Sequence, residues 1–331
     1  MLLKFFKGTG PGVISIVVII LGALWISAFI DPRAYPLSLY ETTPMPLYGL
    51  LLDLFGDHHL AGVIFSFVLL SVLLFLLVNF NTTVFFISER TFLPAIFFLL
   101  ITSVFPGLQV LNPVLPAAIF LMFAVIRIMD SYRKPGIAYN FFDTGILISA
   151  GSLFYAPMIW FGILAIIGIA LLRTGNPREI LLALTGLAAP YIIVTGIFYV
   201  IGYNPGVLLS DIAENLTGIT PGYIFPRLTI AVLIYSGLII LTSIVFLIRL
   251  MNSKKIKSRK TFYLLLWIFF ISLGLYFLLR SVSVEMIWIT AIPASYFLTH
   301  YFVFIKRKIL PEIIFSVFFV LVLLLQALEI F

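Results

Sequence analysis

PGVISIVVIILGALWISAFI, residues 11–30, contains no charged side chain, and the residue that follows it is Asp31. Twenty apolar residues wound as an α-helix reach about 30 Å, the thickness of the hydrocarbon layer of a bilayer. The run does not alternate apolar with polar residues, as a strand of a membrane β-barrel would, so it reads as a helical span. It is longer than the apolar region of a secretory leader, follows Lys4 and Lys7, and lacks a small-x-small cleavage site before Asp31. It is therefore expected to stay in place as a signal anchor.

Working outward, the rest of the chain repeats the pattern. Of 331 residues 63% are hydrophobic and 10% charged, against about 25% charged in ordinary soluble domains. A water-soluble fold of this composition would lack the polar surface to cover itself. The apolar runs predict an all-α polytopic membrane protein of about eleven transmembrane helices, at 11–30, 60–80, 91–106, 113–129, 143–156, 158–172, 180–202, 227–249, 261–279, 285–304 and 311–330. Pro94, Pro106, Pro113, Pro116 and Pro157 interrupt the third to sixth of these, so pairs there are expected to be tilted or re-entrant. The chain has no cysteine, which removes both disulfides and thiolate metal sites.

The formal net charge is +7, and its distribution gives its meaning. With the N-terminus cytoplasmic, alternation of the spans puts 17 of the 20 basic residues on the cytoplasmic side and leaves Arg33, Arg227 and Arg280 outside. Short loops rich in Lys and Arg stay cytoplasmic, so the expected topology is N-terminus in and C-terminus out. The basic excess is accounted for by topology and membrane lipids, and no nucleic-acid partner is expected. Almost every charge falls at a predicted helix end, which leaves no ion path of the kind a transporter needs.

Two loops of useful size fall outside, 31–59 and 203–226. The first carries Asp31, Glu41, Asp53 and Asp57, with His58 and His59, against the single Arg33. The second carries Asp211 and Glu214. Apolar residues at helical spacing in both, such as Leu47, Leu50, Leu51 and Leu54, predict short helices lying in the interface. Asp31 at the membrane boundary is a candidate general base, because a carboxylate short of water is the better proton acceptor; equally, an acid there marks the interface. The Asp57-His58-His59 cluster admits two readings, part of a metal site completed by Asp31 or Glu41, or amphipathic residues topping the second span. Arg227 and Arg280 run against the charge bias of the outer face. Each points either to an anionic ligand such as a lipid phosphate, which a guanidinium grips bidentately, or to a structural ion pair. His300 is the remaining histidine. Asn81-Thr82-Thr83 and Asn215-Leu216-Thr217 fit the glycosylation pattern weakly, and Gly162 and Gly168 suggest close helix packing. There is no Gly-x-Ser-x-Gly elbow, phosphate-binding loop or His-Glu-x-x-His motif.

Taken in order, these features resemble the polyprenyl-phosphate-dependent glycosyltransferases of the GT-C type. The resemblance rests on Asp31-Pro-Arg-Ala-Tyr35, Pro44-Met-Pro-Leu-Tyr48-Gly-Leu-Leu51, Leu54-Phe-Gly-Asp57 and His59-Leu-Ala-Gly62, with Arg90 opening the third span. It implies a GT-C-like membrane module over residues 1–202, followed by C-terminal transmembrane helices over 203–331. It also implies a polyprenyl-phosphate sugar donor as a lipid-linked substrate, an acceptor at the outer face, and Asp31 as the catalytic base. Arg33, Arg227 and Arg280 would steady the departing phosphate, with Tyr35, Glu41, Tyr48, Asp57 and His58 completing the substrate site. The need for a divalent metal stays open. As a whole the chain also resembles an uncharacterised family of bacterial inner-membrane proteins, which implies a multi-pass location in the bacterial cytoplasmic membrane. One departure divides the expectations. Many superfamily members carry acids between spans three and four, where residues 105–113 here have no ionisable group. Either Asp31 works alone, or the chain is a non-catalytic scaffold or assembly factor with protein partners in the cell envelope.

Overall fold

The computed structural model describes residues 2–8, 10–32, 43–55, 58–133, 138–173, 176–202, 204–220, 223–306 and 309–330. Among them there are helices and turns and no strand, as an apolar chain requires when its backbone must satisfy its own hydrogen bonds. In chain order the helices are α1 (Leu2–Phe6), α2 (Pro11–Leu24), α3 (Ile26–Ile30), α4 (Pro46–Phe55), α5 (His59–Val84), α6 (Leu93–Thr102), α7 (Val114–Asp130) and α8 (Tyr139–Ser152). They continue with α9 (Ile163–Leu172), α10 (Pro177–Ile201), α11 (Pro205–Thr217), α12 (Arg227–Leu250), α13 (Ile256–Leu278), α14 (Ile287–Phe304) and α15 (Ile309–Ile330).

Among the described residues six helices are long and apolar enough to cross a membrane: α5, α10, α12, α13, α14 and α15, the third and fifth of these each extended by an adjoining 3-10 turn. The protein is an all-helical membrane protein. These six coincide with the sequence-predicted spans beginning at 60, 180, 227, 261, 285 and 311. The other five positions hold shorter helices, and the sequence explains why. The first run breaks at Trp25 into α2 and α3. The region from α6 to α9 is cut by prolines, with Pro94 in the first turn of α6 and Pro157 opening a 3-10 turn at Ala156–Gly162. All ten residues of α6 are buried. A helix of about 15 Å thus sits inside protein, where it need not match the bilayer.

The centre is α14, packed by α6, α12 and α13. The span that contains it is 83% buried, against 11% for α10 at the periphery. One continuous apolar core runs from Leu3 to Leu325 and draws on residues on both sides of position 202. Buried hydroxyls are largely satisfied by the carbonyl one helical turn back, as in Thr102 on Phe98, Thr144 on Asn140, Ser243 on Ile239 and Thr299 on Ser295. They are therefore packing residues.

The tightest crossing joins α8 to α10. A Cβ added to Gly186 would lie 2.2 Å from the Phe142 carbonyl oxygen, and one added to Gly145 would lie 2.4 Å from that of Ala183. Small residues let the two backbones touch. The expectation for Gly162 and Gly168 also holds, since Cβ atoms there would meet Leu187 at 2.9 Å and Ile128 at 2.7 Å.

Hydrogen bonds between turns separate the bundle into two ends. At one, the Leu47 amide donates to Leu153 O at 3.0 Å, Tyr48 Oη to Leu111 O at 3.2 Å, and Gln326 Nε2 to Ser103 O at 2.8 Å. Its described acids are Asp31, Asp53, Asp211, Glu214 and Glu285. At the other end Lys7 Nζ reaches Val303 O at 3.5 Å, Lys260 reaches Leu171 O, and Lys254 Nζ lies 3.6 Å from the centre of the Phe304 ring. We refer to these as the acidic and basic ends.

Candidate functional site

At the acidic end the turn between α13 and α14 is clasped from two sides. Arg280 O accepts from both the amide and the hydroxyl of Thr220, at 3.1 and 3.0 Å. Ser281 Oγ donates to Leu216 O at 2.9 Å, so the turn is fixed to the end of α11. Behind it lies Glu285, 1% exposed. Its Oε1 accepts from the Ser283 amide at 3.1 Å and from Tyr155 Oη at 3.2 Å. No cation pairs with it among the described residues, so hydrogen bonds alone hold this carboxylate, and they tie the turn to the segment before α9.

The clasped turn walls a groove. Its outer part, about 480 Å³, is lined by Thr220, Tyr223, Arg280 and Ser283 among others. An apolar recess of about 210 Å³ continues from it, with Phe105, Leu233, Met286 and Ile287 in its wall. Phe225, Tyr276, Phe277 and Val284 line both parts. Tyr223 stands edge-on to Phe105 and Phe225, with ring centres 5.6 and 5.1 Å away. Pro226 stops that segment from joining α12 earlier, and Tyr223 lines the outer part while Phe225 lines both. The combined shape, a guanidinium and hydroxyls at the mouth and aromatic and aliphatic walls inside, suits an amphiphile with an anionic head.

The positions singled out from the sequence are distributed around this end. Asp31 closes α3 and is exposed, its amide donating to Ser27 O at 3.0 Å. Protein packing therefore does not supply the desolvation expected of it. Ser27 Oγ lies 3.5 Å from Gln326 Oε1, and Gln326 in turn holds Ser103, two residues before the groove residue Phe105. Asp31 is not among the described residues lining the groove. Arg33, Tyr35, Glu41 and Asp57 lie outside the described residues. Tyr48 is 3% exposed and its hydroxyl is engaged by Leu111 O, so it fastens α4 to the turn before α7. His58 and His59 are exposed, and no group of three or more metal-ligating side chains occurs among the described residues.

Arg227 and Arg280 are both exposed, and neither has an ion pair among the described residues. Of the two readings open for them, the structural pair finds no partner there. Arg280 lines the groove; Arg227 opens α12 two residues after Phe225. Asn112 is occupied structurally: its Oδ1 accepts from the Leu115 amide at 2.9 Å, and its Nδ2 donates to Val110 O at 3.1 Å. Both glycosylation matches are likewise closed. Asn81 is fully buried and bonded to Glu89 O, while Asn215, 4% exposed, exchanges hydrogen bonds with the backbone of Thr43. His300 is fully buried at the basic end among Phe246, Phe262 and Phe304.

The fold and groove define a class: a helical membrane protein with a groove, polar at its mouth and apolar within, at one end of its bundle. The chain belongs to the DUF6427 family, a family of unknown function, whose model matches residues 13–331. No curated protein and no solved structure matches it.

Proposed function

We propose that this chain is an eleven-span protein of the bacterial cytoplasmic membrane, N-terminus inside and C-terminus outside, that binds a lipid-linked sugar phosphate at its outer end and transfers the sugar in the manner of a GT-C-type glycosyltransferase. The observation that carries the reading is Arg280, which has no ion pair among the described residues and stands at the mouth of a groove walled by Tyr223, Phe225, Tyr276 and Phe277. The orientation is supported by the crowding of Lys7, Arg90, Arg127, Arg173, Arg249, Lys254 and Lys260 at the basic end.

In this reading the lipid chain lies along the aromatic recess and Arg280 takes the phosphate, with Arg227 two residues after the groove residue Phe225. An acceptor hydroxyl oxygen attacks the anomeric carbon, and the bond from that carbon to the phosphate oxygen breaks. The electron pair leaves on the lipid phosphate, and Asp31 takes the hydroxyl proton. A guanidinium is worth most where charge grows in the transition state. The second reading, a scaffold or assembly factor within an envelope complex, is favoured by two observations: Asp31 is not among the described groove residues, and Asn112 in the neighbouring turn is committed to holding α7.

The test uses purified full-length protein in lipid bilayers with synthetic polyprenyl-phosphate sugars. Arg280→Gln is expected to weaken binding about tenfold or more, the loss of a hydrogen bond to a charged group. Asp31→Asn is expected to bind normally and transfer nothing. Unchanged binding in the first variant removes the groove from the proposal, and unchanged transfer in the second removes Asp31. Binding without transfer by the wild type leaves the scaffold reading.

A further inference from the structure

A second cleft lies at the opposite, basic end, where α5, α7 and α8 converge. It measures about 530 Å³, within the range of small-molecule sites. Its residues follow helical spacing: Phe123, Ile126, Arg127 and Asp130 from α7, Asp143, Ile146 and Leu147 from α8, and Leu76 and Asn79 from α5. On each helix the apolar members lie toward the middle of the bundle and the polar members, Asn79, Arg127, Asp130 and Asp143, lie toward its end. The cleft is thus a polar mouth over an apolar channel, built three times over from adjacent helical turns.

The charges at the mouth select among amphiphiles. One guanidinium and two carboxylates leave a net charge of −1. Arg127 Nε lies 3.7 Å from Asp143 Oδ2, and the two side chains are 51% and 41% exposed, so the remaining guanidinium nitrogens stay available. Asp130 is half-buried and has no ion pair among the described residues. A purely anionic head would meet Arg127 but be repelled by the two acids. A head with a phosphate and a primary ammonium satisfies both signs: phosphate on Arg127, and N–H donors on Asp130 and Asp143. A quaternary ammonium has no N–H to give.

We propose that this cleft binds a phospholipid whose headgroup carries a primary ammonium, with an acyl chain against Leu76, Phe123 and Leu147. The proposal is independent of the groove at the acidic end. Purified full-length protein is stripped of lipid in detergent and titrated with phosphatidylethanolamine, phosphatidylcholine or phosphatidylglycerol of identical acyl chains. Bound lipids are counted by native mass spectrometry. The wild type is expected to retain the first lipid over the other two. Replacing Asp130→Asn together with Asp143→Asn is expected to reduce that preference by roughly twofold to fivefold for each ion pair lost, the range of exposed pairs. Asp130→Asn alone, which breaks no ion pair among the described residues, is expected to reduce it in part. Gly196→Ala, where a Cβ meets nothing within 4 Å and which lines neither groove, is expected to leave it intact. Equal retention of all three lipids by the wild type overturns the proposal, as does a preference that survives both aspartate variants.

Discussion

Replacing Gly186 with alanine puts one methyl group where two helices already touch, and a second glycine on the same helix supplies the control. Alanine favours a helix over glycine by about 1 kcal/mol, so substitution at either Gly186 or Gly196 of α10 gains the same amount. The surroundings then divide them. A Cβ at Gly196 meets nothing within 4 Å, whereas one at Gly186 meets Phe142 O at 2.2 Å and the Phe142 carbonyl carbon at 3.0 Å. Those are backbone atoms, so no side chain can rotate out of the way and α8 and α10 must separate. Forcing extra volume into a packed interior costs about 1 to 3 kcal/mol, and a backbone clash belongs at the upper end. Gly186→Ala is therefore expected to be destabilised by about 2 kcal/mol net, and Gly196→Ala to be neutral or slightly stabilised. Thermal unfolding in detergent, followed by intrinsic tryptophan fluorescence and by loss of the monodisperse elution peak, should separate the variants by a few degrees. Equal midpoints, or a lower one for Gly196→Ala, would refute the claim that backbone contact between α8 and α10 organises this side of the bundle.

Other outcomes follow from the same geometry. Glu285→Gln keeps a hydrogen-bond acceptor for Tyr155 and Ser283 and is expected to fold, while Glu285→Leu leaves both donors without that acceptor. The second is expected to lose about 1 to 3 kcal/mol and to expose the Arg280 turn to protease, which limited digestion would reveal. Asn215→Ala removes both hydrogen bonds to Thr43, and faster hydrogen exchange in α11 is the expected readout. Burial holds the pKa of Lys254 below its ordinary value of 10.5, and the nearby Glu89 opposes that shift in part. Between the lowered value and 10.5 the unfolded chain binds more protons than the folded one, so this group makes stability rise as pH increases through that window. Lys254→Met is expected to flatten the rise in unfolding midpoint measured from neutral pH up to about 10.

What could be read from the sequence divides along physical lines. Uninterrupted runs such as 60–80 and 311–330 announce α5 and α15, because a long apolar run has one way to satisfy its backbone in a membrane. The break at Trp25 has no sequence signal, since no proline or glycine sits at that residue. The short α6 reads as apolar whether it faces lipid or protein, so composition could not show that all ten of its residues are enclosed. Arg280 and Arg227 were visible as exceptions to the charge bias. The aromatic walls were not: Tyr223, Phe225 and Tyr276 are three among 49 tyrosines and phenylalanines, and the long-range folding that gathers them leaves no local pattern. Gly186 carries no sequence signal that sets it beside Gly162 and Gly168, because a glycine's partner helix is not written next to it.

The enclosure of α14 also bears on how the chain is made. Its segment is the least apolar of the six candidate spans and the most buried, so it enters the bilayer with the weakest preference for lipid. It also leaves the ribosome after α5, α10, α12 and α13. Until it arrives, α6 has lost its main packing partner, although α6 was synthesised nearly two hundred residues earlier. The nascent protein thus holds an unfinished centre from the time α6 is made until α14 follows it. A chain that stops before residue 284 should be taken up by membrane quality control, whereas one that stops after α14 has its central helix in place.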